Sequence, residues 1–165
     1  MARPSWDEHW LNIAREVSKR ATCMRRHFGA VIVRDNTHLS DGYCGAPRGT
    51  PNCIDLGKCY RNERDIPAGQ NYEKCRSVHA EMNAVINAAK NGTPIKGAKM
   101  YLYGENLDGS IVGGRPCMMC RRVIINSELE EVIVAATSGI IKYDVREWIK
   151  SSNENPFKEL DEAGY

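Results

Sequence analysis

Long apolar runs are missing from this chain. No stretch is long enough to span a bilayer, and Met1-Ala2-Arg3-Pro4-Ser5-Trp6 lacks the apolar core of a signal peptide. The expectation is a cytoplasmic protein. An excess of one charge is missing as well. The formal net charge is +2. The basic pairs Arg25-Arg26 and Arg121-Arg122 stand alone rather than in a block, which argues against a nucleic-acid track. Internal repeats and low-complexity segments are absent, so one globular domain is the natural organisation of 165 residues. That length supports a core without disulfides. We expect a single domain over residues 1–150 and a polar tail over 151–165.

Cysteine, by contrast, is plentiful, with seven in the chain. In a reducing compartment metal binding is favoured over disulfides. Cys117 and Cys120 form a Cys-x-x-Cys. The other five, Cys23, Cys44, Cys53, Cys59 and Cys75, all precede His79.

Ser5 and Glu8 fit a capping box. Trp6, Trp10, Ile13, Ala14 and Val17 then recur at helical spacing, which predicts a helix from about Ser5 to Arg20 with these residues as its core-facing stripe. Gly29 to Arg34 and His38 to Tyr43, joined by Asp35-Asn36-Thr37, predict a hairpin. Gly45 to Gln70 is rich in Gly, Pro, Asn and Cys and shows no period; a loop of that length is rare unless functional or tied down. Helices are expected over Val78 to Lys90, stopping at Asn91-Gly92, and over Pro116 to Asn126, with proline in the first turn. Lys99 to Tyr103 and Glu131 to Ala136 read as strands, Gly104 to Arg115 as a polar loop, and Tyr143 to Lys150 as a last helix. Strands alternating with helices imply an α/β fold with a helix-covered sheet.

This order puts both halves of a split metal signature at helix N-termini. His79-Ala80-Glu81 lies upstream and Pro116-Cys117-Met118-Met119-Cys120 downstream. One imidazole and two thiolates can hold zinc and leave its fourth position to water. Cys117 and Cys120 are three apart, so a first helical turn points both sulfurs to one side, and a helix N-terminus favours the thiolates that zinc needs. Glu81 is then the expected proton carrier. H-x-E followed by P-C-x-x-C is the pattern of zinc-dependent nucleobase deaminases. A lone Cys-x-x-Cys is ambiguous between structural zinc and a redox pair, but a redox pair leaves His79 and Glu81 unexplained.

The chain resembles the deoxycytidylate (dCMP) deaminases of the cytidine deaminase superfamily. The matching segments are Cys23 to Val33, Gly42 to Gly49, Cys75 to Ala84 and Pro116 to Cys120. The resemblance implies a cytidine-deaminase-like three-layer α/β/α sandwich with a mixed central sheet. It also implies hydrolysis of dCMP to dUMP and ammonia at a catalytic Zn2+, with Glu81 moving protons as activated water attacks C4. A homo-oligomer (hexamer or dimer) and dCTP and dTTP as effectors follow from it too. Two departures stand out: Cys44 where the family usually has asparagine, and the longer loop from Gly104 to Arg115. Several relatives carry a second, structural zinc, for which Cys23, Cys53, Cys59 and Cys75 could serve here, the alternative being free thiols; His27 is a weaker candidate. Arg25, Arg26 and Arg48 lie in matching segments and could grip a 5′-phosphate, with Arg25 first; Cys44 stands where the family's asparagine could meet the substrate or a regulator, the alternative being a small residue tolerated in a turn. Other readings stay open: a different cytosine nucleotide, nucleoside or base, an RNA base, or a zinc-stabilised nucleotide-binding module without turnover.

Overall fold

The structure, a computed structural model, describes residues 2–157. Its elements in chain order are α1 (Trp6–Ser18), β1 (Arg26–Arg34), β2 (Thr37–Tyr43), α2 (Cys53–Leu56), α3 (Ala80–Lys90), β3 (Lys99–Asn106), α4 (Met118–Asn126), β4 (Glu131–Ala136), β5 (Gly139–Asp144) and α5 (Val145–Glu154). The strands form one sheet in the order β2-β1-β3-β4-β5. Only β3 and β4 run parallel; the crossover between them is α4. The sheet is therefore mixed.

Alternation along the central strands makes two cores. Val31, Val33, Tyr101, Tyr103 and Ile133 face α1, which brings Trp10, Leu11 and Ala14. Ala30, Ile32, Met100, Leu102, Val132 and Val134 face the other way, onto buried residues of α3, α4 and α5 such as Ala84, Ile124 and Trp148. The result is the α/β/α sandwich the resemblance implies. Two glycines set how closely helices approach. A Cβ on Gly29 would lie 2.3 Å from the Ala14 carbonyl oxygen of α1, and one on Gly42 would lie 2.3 Å from the Ala84 amide of α3. Only a residue without a side chain lets these helices lie flat on the sheet.

The capping box at Ser5 is formed: the Glu8 amide donates to Ser5 Oγ (3.3 Å) and the Ser5 amide to Glu8 Oε2 (2.7 Å). Several boundaries differ from expectation. β1 begins at Arg26, three residues early, because Arg26 to Phe28 pair with Gly104 to Asn106 of a β3 that runs past Tyr103. The loop after it folds back on itself, with the Asn106 amide donating to the Ser110 carbonyl at 2.9 Å. The long connection after β2 contains α2 and two single 3-10 turns, Asn62–Arg64 and Tyr72–Lys74. β5 was not expected at all, and it takes Tyr143 out of the expected last helix. That helix begins at Val145, capped by Asp144, and continues to Glu154, so 151–154 are helical rather than tail. Residues 158–165 of the expected tail lie outside the described residues. No helix among the described residues is long and apolar enough to cross a membrane.

Candidate active site

Two helix N-termini meet at the end of the sheet where β1 starts and β3 ends. His79 is the N-cap of α3 and Cys117 the N-cap of α4. His79 is held in place by the bridge just before it: the Val78 amide donates to the Gly45 carbonyl (2.8 Å), and the Gly45 amide to the Val78 carbonyl (3.2 Å). Pro116 is buried, and its carbonyl accepts from Nε of the buried Arg121 at 2.8 Å, which fixes the turn that presents Cys117. His79 Nδ1 consequently lies 3.4 Å from Cys117 Sγ and 3.3 Å from Cys120 Sγ. The three donor atoms fall within 4.8 Å of one another.

These distances fit a metal. Tetrahedral zinc with ordinary Zn–S and Zn–N bonds separates a sulfur and a nitrogen by roughly 3.5 Å. The donor set of one imidazole and two thiols is also the right chemistry for zinc and leaves one position open. Among the described residues, this is the one group of three or more such donors.

Hydrogen bonding from Cys120 holds the Cys117 thiol well below its ordinary value, against burial and with help from His79. The same hydrogen bond, together with burial, pushes the Cys120 thiol up. Burial lowers His79, but the bond to Cys117 and the charge of Glu81 outweigh it, and the imidazole is raised. Glu81 is 6% exposed. Burial raises its carboxyl even though His79 and a hydrogen bond to Cys120 pull the other way. The carboxyl raised in this manner sits one residue inside α3, beside all three donors.

The group opens into a pocket of about 650 Å³ that His79, Glu81 and Cys117 help to line. Five arginines line it too: Arg25, Arg26, Arg61, Arg115 and Arg121. A chain of net charge +2 thus concentrates cationic side chains at one cavity. Of the expected phosphate contacts, Arg25 and Arg26 are here, and Arg25 also donates to the Ile66 carbonyl (3.4 Å). Arg48 is not. It is exposed and donates to Asn87 Oδ1 (2.9 Å) beside a separate cavity of about 350 Å³.

Cys44 lines the pocket as a buried, neutral thiol. Its sulfur accepts from the Phe28 amide (3.4 Å) and donates to the Arg26 carbonyl (3.5 Å), and burial pushes its pKa up to about 12. The side chain is thereby committed to the backbone of β1. Cys23 and Cys75 line the same pocket, whereas Cys53 and Cys59 do not. Burial raises the Cys53 thiol, and Cys23, Cys59 and Cys75 are near enough to add to that. The four share a neighbourhood, yet no three of their sulfurs come within 4.8 Å of one another. The Arg25 amide donates to Cys23 Sγ (3.4 Å), and Cys53 sits in the first turn of α2, so each thiol is placed by its own segment.

Sequence reasoning missed Arg61, Tyr72, Arg121 and Tyr143 as pocket residues. Arg121 could have been found, since it follows Cys120 within the same helical turn. Arg61 and Tyr72 sit in the aperiodic connection and Tyr143 on the unexpected strand, where no spacing marks them.

A family model described as the cytidine and deoxycytidylate deaminase zinc-binding region matches residues 4–136. The deoxycytidylate deaminase of Schizosaccharomyces pombe is 34% identical over 131 residues, 79% of this chain and 37% of that protein. This chain therefore spans well under half of that relative's length. The deoxycytidylate deaminase of Mycobacterium phage D29 is 33% identical over 137 residues, covering 81% of this chain and 96% of that one. Among solved structures, the dCMP deaminase of cyanophage S-TIM5 in complex with dCMP and dUMP superposes with a TM-score of 0.58 at 22% identity. It covers 81% of this chain and 83% of that one, which shows a shared fold.

Proposed function

The chain belongs to the cytidine and deoxycytidylate deaminase family, and from that premise we propose that it hydrolyses dCMP to dUMP and ammonia. The observation that carries this reading is the buried carboxyl of Glu81 beside a His79, Cys117 and Cys120 donor set at zinc-binding distances, open to a pocket rich in arginine.

Zinc held by those three residues supplies the Lewis acidity that makes a water acidic near neutral pH. The remaining steps belong to the protein. Glu81 takes a proton from the water as its oxygen adds to C4 of the cytosine. The carboxyl passes that proton to the ring nitrogen; the carboxylate then takes the proton of the new C4 hydroxyl and hands it to the amine, so that C4=O forms as the C4–N bond breaks, ammonia leaves and the carboxylate is regenerated. Burial of Glu81 excludes bulk water from these transfers. Arg25 and Arg26 line the pocket and supply planar donors that suit a 5′-phosphate. The same reading carries dCTP activation, dTTP inhibition and assembly into a homo-oligomer, which assays and light scattering with each nucleotide test.

Ammonia release measured on dCMP, CMP, deoxycytidine and cytosine decides the substrate. We expect dCMP to be turned over fastest and the unphosphorylated compounds at least tenfold more slowly, the loss of about one charge-assisted hydrogen bond. Equal turnover of deoxycytidine would remove the phosphate from the reading. Release with none of them, in a zinc-loaded protein, would leave only a nucleotide-binding module.

A further inference from the structure

The connection between β2 and α3 has a small centre of its own, and that centre is a charge. Arg61 is 3% exposed. Its Nη1 donates to the Asn71 carbonyl at 2.8 Å and its Nη2 to the Pro67 carbonyl at 2.6 Å. Its own carbonyl accepts from the Ile66 amide at 2.9 Å. A buried guanidinium is tolerable when its fork of donors is satisfied in this way. Asn71 immediately precedes Tyr72, so the fork fixes the backbone from which that ring projects.

The guanidinium carbon also lies 5.0 Å from the centroid of the Tyr72 ring, a cation–π distance. Tyr72 Oη accepts from the Gly69 amide at 3.2 Å. The ring is thus held at its face and at its hydroxyl. Tyr72 and His79 then meet edge to face, with centroids 4.9 Å apart and planes at 88°. A metal-binding imidazole needs a further contact to fix the plane of its ring.

We propose that Arg61 and Tyr72 are positioning residues for the metal site, Arg61 locking the Pro67–Tyr72 turn and Tyr72 setting the plane in which His79 presents Nδ1. The inference rests on the zinc reading of His79, Cys117 and Cys120. It gives the long connection a function: it is the wall against which the first metal ligand is aimed.

The test replaces zinc by cobalt(II), whose visible absorption bands report ligand geometry without substrate, and measures kcat, KM and thermal unfolding alongside. Tyr72→Leu is expected to shift the cobalt bands and lower kcat by about ten- to a hundredfold, the scale of a misplaced reacting group, with a smaller change in KM. Tyr72→Phe, which restores the ring without its hydroxyl, should recover the native bands and most of the lost kcat. Arg61→Lys keeps the charge but cannot span both carbonyls, and should shift the bands in the same direction as Tyr72→Leu. If Tyr72→Leu does not fold, Arg61→Lys decides by the same spectrum. Native bands and native kcat in a folded Tyr72→Leu or Arg61→Lys protein would overturn the proposal. So would equal losses in Tyr72→Phe and Tyr72→Leu, because the effect would then belong to the hydroxyl on Gly69. If the native chain takes up no cobalt or zinc, the metal reading fails first and this inference with it.

Discussion

The two sides of the pocket are built on different principles. One side is the pair of helix N-termini, α3 and α4, where the donor groups of His79, Cys117 and Cys120 sit at cap and first-turn positions and the helices pack on the sheet through Ala80, Ala84, Cys120 and Ile124. The other is the connection from Cys44 to Val78, held by side chains on carbonyls: Arg61 on Asn71 and Pro67, Arg76 Nη2 on Pro51 (2.8 Å), and Thr22 Oγ1 on Asn52 Oδ1 (2.9 Å). The first side carries chemistry on rigid elements. The second carries shape, and it depends on single polar contacts that can be cut one at a time.

The largest effect should come from the helix side. Glu81→Ala is expected to lower turnover by about 10²–10⁴-fold, the range for a lost general acid–base group, while metal analysis still finds zinc. Loss of zinc together with activity would make Glu81 a ligand and erase the division of roles. Arg25→Ala, just before β1 with its guanidinium on the Ile66 carbonyl of the connection, should raise KM for dCMP about ten- to a hundredfold, as for a lost charged hydrogen bond, and change kcat less. An unchanged KM would take Arg25 out of substrate contact.

Cys53→Ser tests whether the connection needs metal. A buried hydroxyl in place of the thiol should cost about 1–3 kcal/mol in a denaturant titration, with zinc staying near one per chain before and after. A fall from two zincs to one would mean that the cysteines gather around a second ion, and the connection would then be a metal-built unit. The smallest effect lies away from both sides. Burial raises the Asp7 carboxyl, but hydrogen bonds from Lys142 (2.7 Å) and Tyr101 (2.9 Å) outweigh it and hold it below the usual carboxylate value. A lowered folded-state value stabilises the protein above the ordinary carboxylate range, and that stability is lost as pH falls through it. Asp7→Asn should therefore cost about 0.2–1 kcal/mol near neutral pH and about nothing in strong acid. A cost that did not shrink on acidification would point to packing instead.

Legibility followed the same division. The helix side could be read because caps, periodicity and ligand spacing are local signals: Ser5 with Glu8, the stripe from Trp10 to Ala14, and Cys117 three residues before Cys120. The hairpin of β1 and β2 was visible through its β-branched run and its turn. β5 was not, because Gly139 to Lys142 is exposed and pairs only along its backbone with β4, leaving no alternation to detect. Arg61 was invisible for a different reason. Its partners are backbone carbonyls six and ten residues away, and a carbonyl has no sequence signature. Arg48 lay in a segment that resembles the family, yet the turn after Gly45 carries it outward to Asn87.

X-ray absorption at the zinc edge tests the central claim most directly. The account predicts a first shell of two sulfurs at about 2.3 Å and two lighter atoms at about 2.0–2.1 Å, lost in a His79→Ala protein. A shell of four sulfurs, or one unchanged by that substitution, would contradict it.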